Sequence, residues 1–234
     1  MSSITERTLG SRIANADALA THLTTFAAYA PIRPEDSVVN YKAHITSTKA
    51  ANTLVATNQT IYSNAVENRV KLFSKNPDSL AKVLGLIASY VRSKFGKTSK
   101  EADDVAKLIS KIRGTRNAKL KKNEEGEFVS QSQVSYGSRT MKFADIIAKL
   151  AQFGTDYAPT NVKVKLLALN AQLAGLTTAN NAVASAYGLL KPSKDVRASL
   201  YLDLKDRSGR IKESVKSQFG IKASEYKLIK GLGI

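Results

Sequence analysis

Residues 38–55, VVNYKAHITSTKAANTLV, and residues 166–183, LLALNAQLAGLTTANNAV, decide the reading of this chain. In the first stretch Val38, Tyr41, Ile45, Thr48, Asn52 and Val55 recur at alternating steps of three and four. In the second, Leu166, Leu169, Leu173, Leu176, Asn180 and Val183 repeat that spacing, each 128 residues later. Such steps keep all the marked side chains on one seam of an α-helix and scatter them over both faces of a strand. A heptad seam packs nearly parallel or antiparallel to its neighbours, so the spacing predicts an all-α helical bundle.

Outward from these stretches the matches continue. Tyr29-Ala30-Pro31 recurs as Tyr157-Ala158-Pro159 at the offset of 128, Arg69 meets Arg197, and Phe73 meets Tyr201. The first copy then holds four extra residues around Ser74-Lys75-Asn76-Pro77. Ser93-Lys94-Phe95-Gly96 meets Ser217-Gln218-Phe219-Gly220 at an offset of 124. Ser99-Lys100-Glu101 lies close to Ala223-Ser224-Glu225. Upstream, Leu19, Leu23 and Phe26 meet Ile146, Leu150 and Phe153 at an offset of 127. Chance gives one such match, not an ordered series, and a unit used twice is the reading that follows.

Within each copy the pattern predicts three main helices and a short one. Ile13, Ala16, Leu19, Ala20, Leu23, Phe26 and Ala27 form an apolar stripe at helical spacing, as do Phe143, Ile146, Ile147, Leu150 and Phe153. Pro31 and Pro159 are expected to end this helix, and Asp36-Ser37 and Thr160-Asn161 to cap the next. Pro192 is expected to break the second copy, so that a third helix covers 193–219; in the first copy the interruption falls at Asn76-Pro77. Gly96 and Gly220 sit where a left-handed residue stops a helix. The last, short helices carry Val105, Leu108, Ile109 and Ile112, and Tyr226, Ile229 and Leu232. The expectation is a tandem-duplicated antiparallel bundle with pseudo-twofold symmetry. Residues 1–113 would form the first helical unit and 139–234 the second, sharing one continuous core.

Residues 114–138 interrupt the helical pattern. Arg116, Lys119, Lys121 and Lys122 precede an acidic turn, Asn123-Glu124-Glu125-Gly126-Glu127, and the run Phe128 to Tyr136 alternates in part. A connection this long is a strap, a linker or a functional loop. One reading lays it over the bundle with Phe128, Val134 and Tyr136 as anchors; the other makes it a basic clamp for a polyanion.

Composition removes whole classes of function. There is no cysteine, which excludes disulfides and thiolate metal sites. Met1 to Gly10 carry no apolar core of a signal peptide, and no apolar run reaches the ~18 residues of a membrane span. A cytoplasmic protein is expected. The formal net charge is +17, with 16 basic against 9 acidic residues in 1–113, 4 against 3 in 114–138, and 16 against 7 in 139–234. Charge of this sign in both halves attracts polyanions.

Catalytic constellations do not emerge. His22 and His44 have no counterparts in the other copy and no paired spacing. Gly96-Lys97-Thr98 ends like a phosphate loop, but Val91 stands where the first glycine belongs and a helix precedes it. Asn52 and Asn180 sit within the seam, where an Asn–Asn contact inside the bundle would fix register. Arg69 and Arg197 read as arginines snorkelling from the bundle, or as anion contacts. The carboxylates are scattered and suggest no acid–base pair.

The layout resembles uncharacterised duplicated all-helical proteins from bacteria, through the two Tyr-Ala-Pro turns, the Ser130-Gln131-Ser132-Gln133-Val134-Ser135-Tyr136 run and the two Phe-Gly helix ends. That resemblance implies no activity, cofactor or functional residue. With no catalytic or metal constellation in the sequence, a non-enzymatic binding protein without a cofactor is expected, and the charge makes nucleic acid, a ribonucleoprotein or another polyanion its expected partner. Arg113, Arg116, Lys119, Lys121, Lys122, Arg207, Arg210, Lys212 and Lys216 are the expected contacts. The alternative is a structural protein whose leftover helical faces pack against its own copies or another protein.

Overall fold

The structure, a computed structural model, describes residues 8–114, 121–122, 128–129 and 135–234. Its helices are α1 (Leu9–Thr25), α2 (Val38–Val70), α3 (Leu80–Phe95), α4 (Lys100–Arg113), α5 (Tyr136–Gln152), α6 (Leu166–Phe219) and α7 (Ser224–Ile229). One antiparallel ladder of two residues, β1 (Lys121–Lys122) on β2 (Phe128–Val129), is the strand structure among the described residues. The chain is therefore all-helical, as the heptad spacing requires. Most of the expected strap, with its anchor Val134, lies outside the described residues.

Local chemistry sets the helix starts. The Thr8 and Ser135 hydroxyls accept from the amides of Ser11 and Ser138, and Ser99 accepts from Ala102. Each satisfies a donor that the first turn leaves without an intrahelical partner. Ser37 does this for α2 through Asn40, whereas Asp36 is buried in the preceding 3-10 turn. Asn161 accepts from Lys163 and so caps a 3-10 turn, Val162–Val164, before α6 rather than α6 itself. α1 and α5 end at Thr25 and Gln152, well before Pro31 and Pro159.

Pro192 does not break the chain. α6 runs through it as one helix of 54 residues, so the expected separate helix at 193–219 does not exist. Proline removes one backbone donor and crowds the preceding turn. Side chains supply donors to that turn: Ser193 Oγ donates to the Leu190 carbonyl at 2.7 Å, and Asn58 Nδ2 to the Leu189 carbonyl at 3.3 Å. The interruption expected at Asn76-Pro77 is present. α2 passes into a π-turn at Lys71–Lys75, and α3 begins beyond Asn76-Pro77.

The chain forms two compact units: the residues up to Thr60 with Gly188–Ile234, and Ile61–Tyr187. The changeovers fall inside α2 and α6, not at the expected boundaries 1–113 and 139–234, so each unit takes chain from both halves. In the first unit, Leu19, Leu23 and Phe26 of the α1 segment pack with Tyr41 and Ile45 of α2, Tyr201, Leu204, Ile211 and Val215 of α6, and Ile229 of α7. Phe26 meets Phe219 at 5.9 Å between ring centres. Tyr29 Oη donates to the Asp36 carbonyl at 3.0 Å, and the Ala30 amide donates to Gln218 Oε1 at 3.0 Å. The Arg12 guanidinium carbon stands 4.9 Å from the Tyr201 ring centre.

In the second unit, Phe73 and the α3 residues Leu80, Leu84, Ile87 and Val91 pack with Val105, Ile109 and Ile112 of α4, Phe143, Ile146 and Leu150 of α5, and Leu169 and Leu176 of α6. Phe153 meets Phe95 at 4.9 Å. Tyr157 Oη donates to the Val164 carbonyl at 2.7 Å, and the Ala158 amide donates to Tyr90 Oη at 3.0 Å. The Arg139 guanidinium carbon stands 5.4 Å from the Phe73 ring centre.

Candidate functional site

The α3–α4 hairpin builds a basic recess. α3 closes at Gly96, whose φ of 95° is open to glycine and strained for other residues, with its amide on the Arg92 carbonyl at 3.0 Å. Ser99 Oγ donates to the Gly96 carbonyl at 3.0 Å while accepting from Ala102, and so fixes the turn into α4. α4 buries Ala102, Val105, Ile109 and Ile112 and leaves its charged residues on the other faces.

Between the two helices lies a cleft of about 550 Å³. Its floor is Ala88, Val91, Ala102, Val105, Ala106 and Ile109, and its rim is Arg92, Lys97, Thr98, Asp103, Ser110 and Arg113. Three cations thus face one carboxylate, and Lys107 holds that carboxylate, Asp103, at 2.5 Å. Arg113 Nη2 lies 3.9 Å from where a side chain on Gly85 would begin. Gly85 and Arg92 are seven residues apart on α3, about 10 Å at 1.5 Å per residue. That is the axial rise of about three phosphates on one strand of a duplex. Chemically the cleft offers fixed positive charge, hydroxyl donors and a small apolar floor, and no nucleophile–base pair.

The expected contacts fare differently from one another. Arg113 stands on this cleft, exposed at the end of α4. Lys97-Thr98, which the sequence shows only as an imperfect phosphate-loop ending, stands on it too. Arg116 and Lys119 lie outside the described residues, and Lys121 and Lys122 supply the backbone of β1. The second run is engaged within its own unit. Arg207 donates from Nε to Asp203 at 2.9 Å and from Nη1 to the Glu35 carbonyl at 3.1 Å. Arg210 grips both oxygens of Asp36, at 2.9 and 2.8 Å, which raises its pKa further. Lys212 Nζ donates to the Leu232 carbonyl, and burial lowers its pKa. Lys216 pairs with Glu213 at 3.2 Å.

The seam asparagines do not meet each other, contrary to the expectation. Asn52 Nδ2 donates to Tyr201 Oη at 2.8 Å, and Asn180 Nδ2 to Thr140 Oγ1 at 3.0 Å. Each amide finds a hydroxyl on another helix of its own unit, which satisfies its donor without a symmetric partner. His44 lies with Nε2 3.0 Å from the Leu200 carbonyl and Nδ1 3.5 Å from Asp203. Arg69 stacks on Tyr136, its guanidinium carbon 4.0 Å from the ring centre, and Arg197 is half-buried.

Sequence reasoning missed Arg92 and the cleft itself. The signal was present in the short Gly96–Ser99 turn, which makes α3 and α4 antiparallel neighbours and brings the end of α4 back beside the start of α3. Comparison with family models, curated proteins and solved structures finds no match to this chain.

Proposed function

We propose that this chain is a non-enzymatic basic helical protein, acting in the cytoplasm, that engages a polyanion through the α3–α4 cleft. The partner class is nucleic acid or a ribonucleoprotein. The observation that carries this reading is the imbalance at the cleft: Arg92, Lys97 and Arg113 surround one carboxylate, already paired with Lys107. At Arg207, Arg210 and Lys216, by contrast, carboxylates pair with the cations. A cluster left uncompensated attracts phosphates and releases their counterions.

The test is affinity for mixed-sequence duplex over a salt series. Each phosphate contact contributes about −0.9 to the slope of log affinity against log salt. Replacing Arg92, Lys97 and Arg113 together by alanine should make that slope shallower by about 2 to 3. No binding at low salt, or a slope the triple substitution leaves unchanged, overturns the reading.

An assembly role is favoured by one observation. Val39 and Leu167, matched at the offset of 128, open α2 and α6 with 77% and 85% of their surface exposed. Light scattering decides it: a strict monomer over a wide concentration range counts against self-association.

The same proposal includes a tandem duplication with a pseudo-twofold relation between the copies. The paired contacts of the two units support it. Phe26–Phe219 corresponds to Phe153–Phe95, Tyr29–Asp36 to Tyr157–Val164, and Ala30–Gln218 to Ala158–Tyr90. In each pair of matches the first partner comes from the early part of one repeat. Where the two partners lie far apart in sequence, the second comes from the late part of the other repeat. The copies thus exchange their C-terminal portions.

A further inference from the structure

Arg69 and Arg139 of the second unit are the most unusual cations among the described residues. Both guanidinium carbons lie within 6.0 Å of one ring centre, that of Tyr136. Phe73 completes the aromatic pair, edge-on to Tyr136 at 4.8 Å. The helical spacing explains the convergence. Tyr136 and Arg139 are three apart on α5 and so share a face, while Arg69 stands in the last turn of α2 and Phe73 in the π-turn that continues it. No carboxylate stands within ion-pair distance of either arginine among the described residues. Arg69 Nε and Arg139 Nε are buried, and no acceptor among the described residues reaches them.

A buried N–H without an acceptor costs about 1 to 3 kcal/mol, more when the group is charged. The aromatic faces stabilise the cations, but a ring is no substitute for an oxygen acceptor at Nε–H. Nε–H together with a neighbouring Nη–H forms the fork that grips two oxygens of a phosphate.

The matching place in the first unit sharpens the contrast. Arg12, the counterpart of Arg139 at the offset of 127, donates Nη2 to the Tyr201 carbonyl at 3.0 Å. The counterpart of Tyr201 is Phe73, which lies inside the π-turn. Such turns re-aim backbone groups and recur at functional sites. The seam amide oxygens of Asn52 and Asn180 lack partners in both units, so they do not distinguish the two places.

We infer that Arg69 and Arg139, set on the Tyr136–Phe73 pair, form a binding site for a phosphate-class oxyanion, either inorganic phosphate or the terminal phosphate of a larger ligand. The site is separate from the α3–α4 cleft and does not depend on the polyanion reading. The experiment is titration of the full chain with inorganic phosphate and, in a second arm, with a nucleoside monophosphate, at fixed ionic strength. Arginine Nε–H resonances report the site and calorimetry the affinity. Selective shifts at Arg69 and Arg139 are expected, with at least tenfold weaker binding for Arg69→Lys and for Arg139→Lys. Those variants keep the charge and lose the fork, and circular dichroism confirms their fold. Arg113→Ala should leave phosphate affinity unchanged while weakening duplex binding, which separates the two sites. Preference for the monophosphate assigns a terminal phosphate, and equal affinity assigns the free ion. No shift at either Nε in millimolar phosphate, or equal affinity in the lysine variants, overturns the inference.

Discussion

Arg210→Ala tests whether a basic residue that sequence alone would give to a partner instead holds the fold. Arg210 donates to both oxygens of Asp36, at 2.9 and 2.8 Å, across 174 positions of chain. The Asp36 side chain is 6% exposed and that of Arg210 32%. Removing one partner of a fully buried pair costs about 3–5 kcal/mol, because the other charge stays buried and alone, whereas an exposed pair is worth about 0–1 kcal/mol. This pair is buried on the Asp36 side and open on the Arg210 side, and solvent screening brings the expected loss to about 2 kcal/mol. With a urea dependence of about 1–3 kcal/mol per molar, the unfolding midpoint followed by far-ultraviolet circular dichroism should fall by about 1 M. The double variant Asp36→Asn with Arg210→Gln should lose less than Arg210→Ala, since it leaves no orphaned carboxylate. The salt slope for duplex binding should not change. A midpoint lowered by less than about 0.2 M would place the pair in the exposed class and refute the reasoning.

Three further outcomes are expected. Leu84→Ala, at a fully buried position of α3, should destabilise the protein by about 2–5 kcal/mol, seen as a lower thermal midpoint; a shift of a degree or less would contradict the packing described. Gly220→Ala, at φ 93° with open space around it, should cost about 1 kcal/mol through the backbone alone, and a neutral result in urea unfolding would refute that. Burial, with Asp36 adding, pushes the Tyr29 hydroxyl up from 10.0 to about 12, and burial raises Tyr41 and Tyr157 as well. The folded state keeps these protons where the unfolded chain loses them. Their contribution is therefore full below pH 10 and falls away as pH rises towards about 12. A urea midpoint that stays constant across that window would show the phenols to be unperturbed.

The helices were legible because their cause is local. Val38 to Val55 and Leu166 to Val183 carry a period that only an α-helix lines up, and the Ser37 hydroxyl expected to cap α2 accepts from Asn40. The absence of cysteine and the excess of positive charge are also properties of the sequence alone. Pro192 shows where local reasoning stops. A proline ends an isolated helix, but the donor on the Leu189 carbonyl comes from Asn58, 131 residues away, and no window of sequence contains both.

Tertiary structure alone decided the partners. A heptad seam specifies that a face will be buried and says nothing about which similar face covers it, so two segments with the same spacing leave their partners open. The chain joins Phe26 to Phe219 and Phe153 to Phe95. Charge divides the same way. Counting gives the excess of cations, but Arg210 and Arg113 look alike in sequence until Asp36 is found against one and the α3–α4 cleft beside the other. Composition fixes how many charges there are, and only the fold fixes which of them are neutralised, because pairing depends on distances that chain separation does not set.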